Sequence, residues 1–316
     1  MMPYILRQFL LTSLLVSVAS VQILYAQQEN PANRLHEYMV SVRDRDTQQV
    51  VPDVIQDREH VDAMLHALSS YYSDTLPVIR RKAFYLTSKI CAFHPGFTSR
   101  AIEQLTGGIK DPDSGIAGTV MDYLKSCPRE HYSERAEDTL IHLLHRGTSH
   151  YKKLIKLIGY LDVKREIPYL KQKLRTRDYS GSSERWAILL ALSRMGEPQA
   201  TGFCLGIAQK MPVGDDFVYD IAPAFIYTRQ KQLVYYLFIQ LYADSENCSS
   251  PNPESTQNIH CGYRLMEYLA PVVIDFPLNV DAAGEIRSDN YREALQITRD
   301  WFNKHRDDYR LDRDTY

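Results

Sequence analysis

The stretch Ala101–Gly115 reads AIEQLTGGIKDPDSG, and its reading decides the fold. Ile102, Leu105 and Ile109 keep the three- and four-residue spacing of an amphipathic helix. That phase stops at Asp111-Pro112-Asp113, and a second one, Ile116, Val120, Met121, Leu124 and Cys127, begins at once. Lys110 puts a positive charge where a helix C-terminus favours one. Pro112 lacks the N–H that a continuous helix would need, and either Asp111 or Asp113 can cap the helix that follows. The stretch therefore predicts two antiparallel helices joined by a tight turn.

The same beat extends in both directions. Val61, Met64, Leu65 and Leu68 form one helical stripe, and a segment from Pro77 through Ile79, Ala83, Leu86 and Ile90 closes at His94-Pro95-Gly96. Downstream, Leu140, Leu143 and Leu144, then Leu154, Leu157, Ile158 and Leu161, mark two further helices. Ile167, Leu170 and Leu174 follow, then Ile188, Leu189, Leu192 and Met195, with Gly, Pro, Asp or Ser as breakers. Leu124, Ile158, Leu192 and Ile226 succeed one another at equal intervals of 34 residues. Such a period predicts repeated helix pairs, each of which hides its second apolar stripe only against the next pair.

The segments AIEQLTGGIKDPDSGIAGTVMDYL, EIPYLKQKL (Glu166–Leu174) and ERWAILLALSRMGEPQAT (Glu184–Thr201) resemble HEAT-like repeats of the short type found in phycobilisome-lyase-like proteins. The likeness spans about Val61 to Ala243, with Pro168 in the first helix of its pair. It implies an all-α fold, an α-solenoid of stacked antiparallel helix pairs, and a scaffold whose second helices line a concave face. Nothing matches a lyase active site. A tetratricopeptide array has a similar period, but its Trp…Leu-Gly…Tyr pattern does not recur here.

The remaining segments frame these repeats. Residues 1–26 read as a secretory signal peptide: one cation at Arg7, an apolar run over Phe9–Tyr25, and Ala26 before a polar start. Cleavage after Ala26 and after Ala19 both remain open. An uncleaved anchor is the alternative, although the run is interrupted by Thr12, Ser13, Ser17, Ser20 and Gln22. Export to the periplasm or cell exterior is expected, with no stable membrane span after cleavage. Residues 27–53 look linker-like, 54–243 carry the repeats, 244–262 form a loop insertion, and 263–316 supply capping helices. In the cap, Ala294, Leu295, Ile297, Trp301 and Phe302 are expected on one side of a helix.

Charge is balanced, with 37 Lys and Arg against 39 Asp and Glu, so no nucleic-acid partner is expected. Of five cysteines, Cys91, Cys127 and Cys204 sit in apolar helical phases and read as small core residues. Cys248 and Cys261 flank a polar, proline-containing loop and, in an exported chain, are expected to form a disulfide.

Three constellations could carry more. His142, His145 and His150 could offer three imidazoles to zinc, or stand as solvent-facing histidines around the turn at Gly147-Thr148-Ser149. No zincin-like carboxylate accompanies them, so no metal or cofactor is assigned. Arg80, Arg81, Lys152, Lys153, Lys156 and Arg185 lie near the starts of second helices and could form a basic stripe for an acidic peptide or glycan; a solvated polar face is the competing reading. Tyr219, Phe225, Tyr227, Tyr235, Tyr236 and Tyr242 could floor a groove or fill the core between pairs. There is no Gly-x-Ser-x-Gly elbow and no Walker loop. The expectation is a noncatalytic protein-binding or scaffolding protein, its partner a protein or peptide along the concave face. The alternative is a metal-dependent enzyme or enzyme subunit using the three histidines.

Overall fold

The computed structural model describes residues 31–44, 53–176, 182–243, 246–252, 254–281 and 284–316. The signal peptide expected at 1–26, part of the 27–53 stretch and part of the 244–262 insertion lie outside the described residues. In chain order the helices are α1 (Pro31–Arg43), α2 (Val61–Ser69), α3 (Pro77–Phe93), α4 (Thr98–Gly107), α5 (Ser114–Lys125), α6 (Glu134–Arg146) and α7 (Tyr151–Tyr160). They continue with α8 (Ile167–Arg175), α9 (Ser182–Arg194), α10 (Pro198–Ala208), α11 (Ala222–Thr228), α12 (Lys231–Gln240), α13 (Gly262–Leu269) and α14 (Tyr291–His305). Among the described residues the only β pairing is three isolated bridges, so the fold is all-α.

The break at Asp111-Pro112-Asp113 is real, and its two carboxylates divide the work. Asp113 is the N-cap of α5, its Oδ1 accepting from the amides of Gly115 at 2.8 Å and Ile116 at 3.2 Å. Those are two of the donors that a helix start leaves without intrahelical partners. Asp111 instead reaches back to α3, where Arg80 donates Nε to Oδ2 at 2.8 Å and Nη2 to Oδ1 at 2.9 Å. Between α4 and α5, Gly108 opens a 3-10 turn, and a Cβ there would lie 2.7 Å from the Phe84 ring. Only glycine lets the turn approach α3 so closely.

Packing divides the chain into two compact units, one of residues up to 127 with 131–139, the other of 128–130 with 140–316. In the first, α3 packs against α1, α2, α4 and α5, and Ile79, Leu86, Ile90, Ile102, Leu105, Val120 and Leu124 are buried. The stretch read as linker-like contains α1, which buries Leu35 and Met39 against this cluster. Leu35, Tyr38, Met39 and Val42 stand at i, i+3, i+4 and i+7 there, a helical stripe that the linker-like reading did not use. The thiols of Cys91 and Cys127 lie 2.9 Å apart inside this unit. Both are buried, in line with their reading as core residues.

In the second unit α9 is central and packs against α7, α8, α10 and α11, while α11 also meets α12 and α13. Alternate helices α7, α9 and α11 thus stand in a row, with Ile158, Leu192 and Ile226 buried at matching places. Each ends on a residue in the left-handed region: Asp162 (φ 57°), Gly196 (φ 88°) and Arg229 (φ 51°). That conformation reverses the chain after a helix and is the usual helix stop. In α14 the buried residues are Ala294, Leu295, Thr298 and Phe302, with Phe302 stacked 4.1 Å from Phe238. Ile297, expected on the same side, is exposed, and Thr298 takes its place by donating to the carbonyl of Ala294 at 2.9 Å.

Cys248 and Cys261 are joined by a disulfide, their Cα atoms 5.1 Å apart, next to an antiparallel bridge between Cys248 and Ile259. Replacing both cysteines by serine should lower stability by about 3 kcal/mol, the loop-closure entropy of a short ring. Urea midpoints of the oxidised chain and the double variant would measure it, and wild type with reductant should match the variant.

Candidate functional site

The row of α7, α9 and α11 ends in a cluster of aromatic and cationic side chains. Tyr160 closes α7, Arg194 closes α9, and Tyr227 and Arg229 lie at the end of α11. They come together because Gly159 lets α7 and α9 approach: a Cβ there would lie 2.7 Å from the Cα of Ala191. The Tyr227 hydroxyl crosses the same gap and donates to the carbonyl of Lys156 at 2.6 Å.

Arg194 and Arg229 are 2% and 3% exposed. Cations are almost never so buried without a carboxylate. Among the described residues no Asp or Glu carboxylate is ion-paired with either guanidinium; both donate mainly to main-chain oxygens of segment 312–316 and of α11. Arg194 Nη2 reaches the carbonyls of Arg313 at 3.1 Å and Thr315 at 2.7 Å. Arg229 donates Nε to the carbonyl of Asp312 at 2.7 Å and Nη2 to Thr315 Oγ1 at 3.0 Å and the Tyr316 carbonyl at 3.3 Å. The Arg194 guanidinium also stands over the rings of Tyr160 (5.0 Å) and Tyr227 (5.1 Å), a cation–π arrangement. Burial holds the Arg194 guanidinium below its ordinary value and pushes Arg229 down to about 10. Burial likewise pushes the Tyr227 phenol well up, so it stays a neutral donor.

The chain held there belongs to no helix, bends at Asp314 and is mostly polar. Arg313 donates Nη2 to the Arg194 carbonyl at 2.9 Å and Nη1 to the Arg229 carbonyl at 3.4 Å, so a cation meets the carbonyl ends of α9 and α11. Asp314 pairs with Arg129 at 2.8 Å, and its carbonyl accepts from the Tyr160 hydroxyl at 2.8 Å. Tyr316 meets Tyr160 edge-on at 5.6 Å and Tyr227 at 5.4 Å.

A second concavity, about 540 Å³, lies beside the disulfide loop. Ser250 and Ile259 of the loop form part of its wall, with Tyr263, Arg264, Glu267 and Tyr291 from α13 and α14. Glu267 accepts from Arg264 at 2.9 Å and from the Tyr291 hydroxyl at 3.0 Å, while Arg264 Nε is buried without a hydrogen-bond partner among the described residues. Asp215 fixes the loop, accepting from the amide of Ser249 at 2.9 Å and its hydroxyl at 2.5 Å. Those two bonds hold its carboxyl below the usual carboxylate range.

The residues singled out from sequence are distributed as follows. Arg80 is interior and committed to Asp111, and Arg81 is exposed, 3.8 Å from Asp113. In the second unit Lys152 and Arg185 are exposed; Lys152 Nζ lies 3.4 Å from Ser183 Oγ, and Arg185 donates to the Leu174 carbonyl at 3.0 Å. Lys153 is half-buried, and Lys156 lies over the Tyr227 ring at 5.0 Å. Of the histidines, His145 bonds Glu166 at 2.7 Å and stacks on Tyr169 at 4.0 Å. His142 is exposed on α6, and the His150 amide donates to Thr148 Oγ1 at 3.4 Å. Among the described residues no group of three or more His, Cys, Asp or Glu is placed to hold a metal ion. Of the aromatic set, Phe225 and Tyr227 are buried whereas Tyr219 and Tyr242 are exposed.

Arg194 and Arg229 were not singled out from sequence. Their signal was a single cation closing an otherwise apolar helical run, in LLALSRMG and again in AFIYTRQ. No protein-family model matches the chain, and no curated protein matches it significantly. Among the described residues no helix is long and apolar enough to cross a membrane.

Proposed function

We propose that this chain is a noncatalytic, protein-binding scaffold of the periplasm or cell exterior, built as an α-solenoid of HEAT-like helix pairs and binding extended polypeptide along its second helices. One observation carries the reading: the row α7–α9–α11 already holds a non-helical stretch of main chain, gripped through its carbonyls by Arg194 and Arg229. Main-chain recognition of this kind supplies affinity, and side-chain niches beside it supply choice. The exposed Lys152 and Arg185 extend the same row with positive charge. The disulfide loop and its cavity are in keeping with a second specificity element. A disulfide at Cys248–Cys261 also suits an oxidising compartment.

The test is an array of unrelated extended peptides probed with the purified chain. A subset should be retained saturably, and Lys152→Glu with Arg185→Glu should lose that subset. A blank array, or a subset indifferent to the charge reversal, overturns the reading.

A further inference from the structure

The segment held by the row has a definite anchoring point. Up to Asp312 it is paired with 272–274: the amide of Ile274 donates to the Arg310 carbonyl at 3.0 Å, and that of Asp312 to the Val272 carbonyl at 2.9 Å. Beyond Asp312 that pairing ends. Residues 313–316 belong to no helix or bridge, none of them is buried, and Asp314 and Thr315 are exposed. The receiving side is the opposite in character. Tyr160, Arg194, Tyr227 and Arg229 are buried and come from three successive second helices.

The partners sort into three kinds of recognition. The two buried guanidinia bind carbonyls, which any peptide possesses. The carbonyl ends of α9 and α11 take the Arg313 guanidinium, Arg129 takes the next residue's carboxylate, and the Tyr160/Tyr227 pair takes an aromatic ring three positions after the arginine. Charge alternates on both sides: the groove offers negative helix ends, then a cation, then aromatic edges. A cap needed only to cover apolar surface would not require this pattern, since segment 313–316 contributes no buried apolar side chain.

We propose that the groove formed by Tyr160, Arg194, Tyr227, Arg229 and Arg129 is a binding site for non-helical peptides carrying an arginine, then an acidic residue, then a tyrosine three positions after the arginine, and that residues 313–316 occupy it as a displaceable internal copy. This rests on the peptide-binding reading above and names its ligand class. A tethered copy competes at a high effective concentration, of the order of millimolar for a short connection, so the intact chain binds weakly until the segment is released.

The experiment is fluorescence anisotropy with a fluorescein-labelled octapeptide containing Arg-Asp-Thr-Tyr, added to the full chain and to a chain ending at Asp312. The shortened chain should bind saturably and at least about tenfold more tightly than the full chain. Alanine in place of the peptide's arginine or tyrosine should each weaken binding about tenfold. Equal binding to both chains, or no binding to a shortened chain that retains helical circular dichroism, overturns the inference. So does equal binding of a scrambled octapeptide. Should the shortened chain fail to fold, Asp314→Ala with Thr315→Ala serves instead. Both positions are exposed, and the pair removes the contact to Arg129 and the hydroxyl contact to Arg229, so it should tighten octapeptide binding severalfold; an unchanged affinity overturns the inference. A shortened chain that ignores the octapeptide yet keeps its array peptides sinks this inference alone and leaves the scaffold reading standing.

Discussion

Replacing Arg80 by methionine should lower the unfolding free energy by about 3–5 kcal/mol, because it leaves the Asp111 carboxylate buried without its counter-ion. The pair is bidentate, its side chains are 8% and 2% exposed, and a third Arg80 donor reaches the Asp74 carbonyl at 2.8 Å. Methionine keeps much of the volume, so the loss reports the stranded charge more than a cavity. The double variant Arg80→Met/Asp111→Asn should lose clearly less than the two single changes added together. Asparagine removes the charge and can still accept from the amide of Asp113, which Asp111 Oδ1 engages at 2.8 Å. Urea unfolding of all four chains measures the cycle, and strict additivity would show that the two side chains are not coupled.

Acidity gives the same pair a second signature. Burial alone would raise the Asp111 carboxyl, but the Arg80 guanidinium and the Asp113 amide hold it below the usual carboxylate range. In wild type its contribution is therefore complete above about pH 4 and disappears as pH falls through the lower folded value. In Arg80→Met only the Asp113 amide still opposes burial, and the carboxyl takes up its proton at higher pH. The stability gap between the two chains must narrow on acidification. A gap that widened would contradict the assignment.

Much of the fold was legible because helix breaks and stripes are local. Asp-Pro-Asp marked both the stop and the cap, and the period of 34 residues placed Leu124, Ile158, Leu192 and Ile226, each now seen buried. The Cys248–Cys261 disulfide was legible from the polar loop between its ends. What escaped reading depends on contacts between residues far apart in sequence. Arg80 resembles the other cations near helix starts, and only the position of Asp111 turns it inward. Ile297 and Thr298 exchange roles because the threonine hydroxyl bonds within its own helix, so a polar residue can occupy the core side. The groove was hidden for the strongest reason: Arg194 and segment 313–316 lie more than a hundred residues apart, and neither carries a motif alone.

Gly159→Ala is the second large loss to expect, about 3 kcal/mol in spite of alanine's better helix propensity, because it overpacks the contact between α7 and α9. The new methyl would meet the Tyr227 hydroxyl and stand 2.7 Å from the Cα of Ala191. The first obstacle is the far end of a side chain, but the second is backbone and yields only if two helices move apart. Adding Tyr227→Phe should therefore restore little of the loss. Gly108→Ala makes a useful contrast. Its nearest obstacles are side-chain atoms of Phe84 at 2.7 Å and Val120 at 2.9 Å, which can shift without parting the helices, so roughly 1–2 kcal/mol is expected there. Separation of α7 from α9 also displaces Tyr160 and Arg194, residues that grip segment 313–316. Gly159→Ala should accordingly weaken octapeptide binding to the chain ending at Asp312, whereas Gly108→Ala, in the other unit, should leave it unchanged. Urea midpoints and anisotropy on the same preparations decide it; a Gly159→Ala chain as stable as wild type would mean that α7 and α9 do not pack this closely.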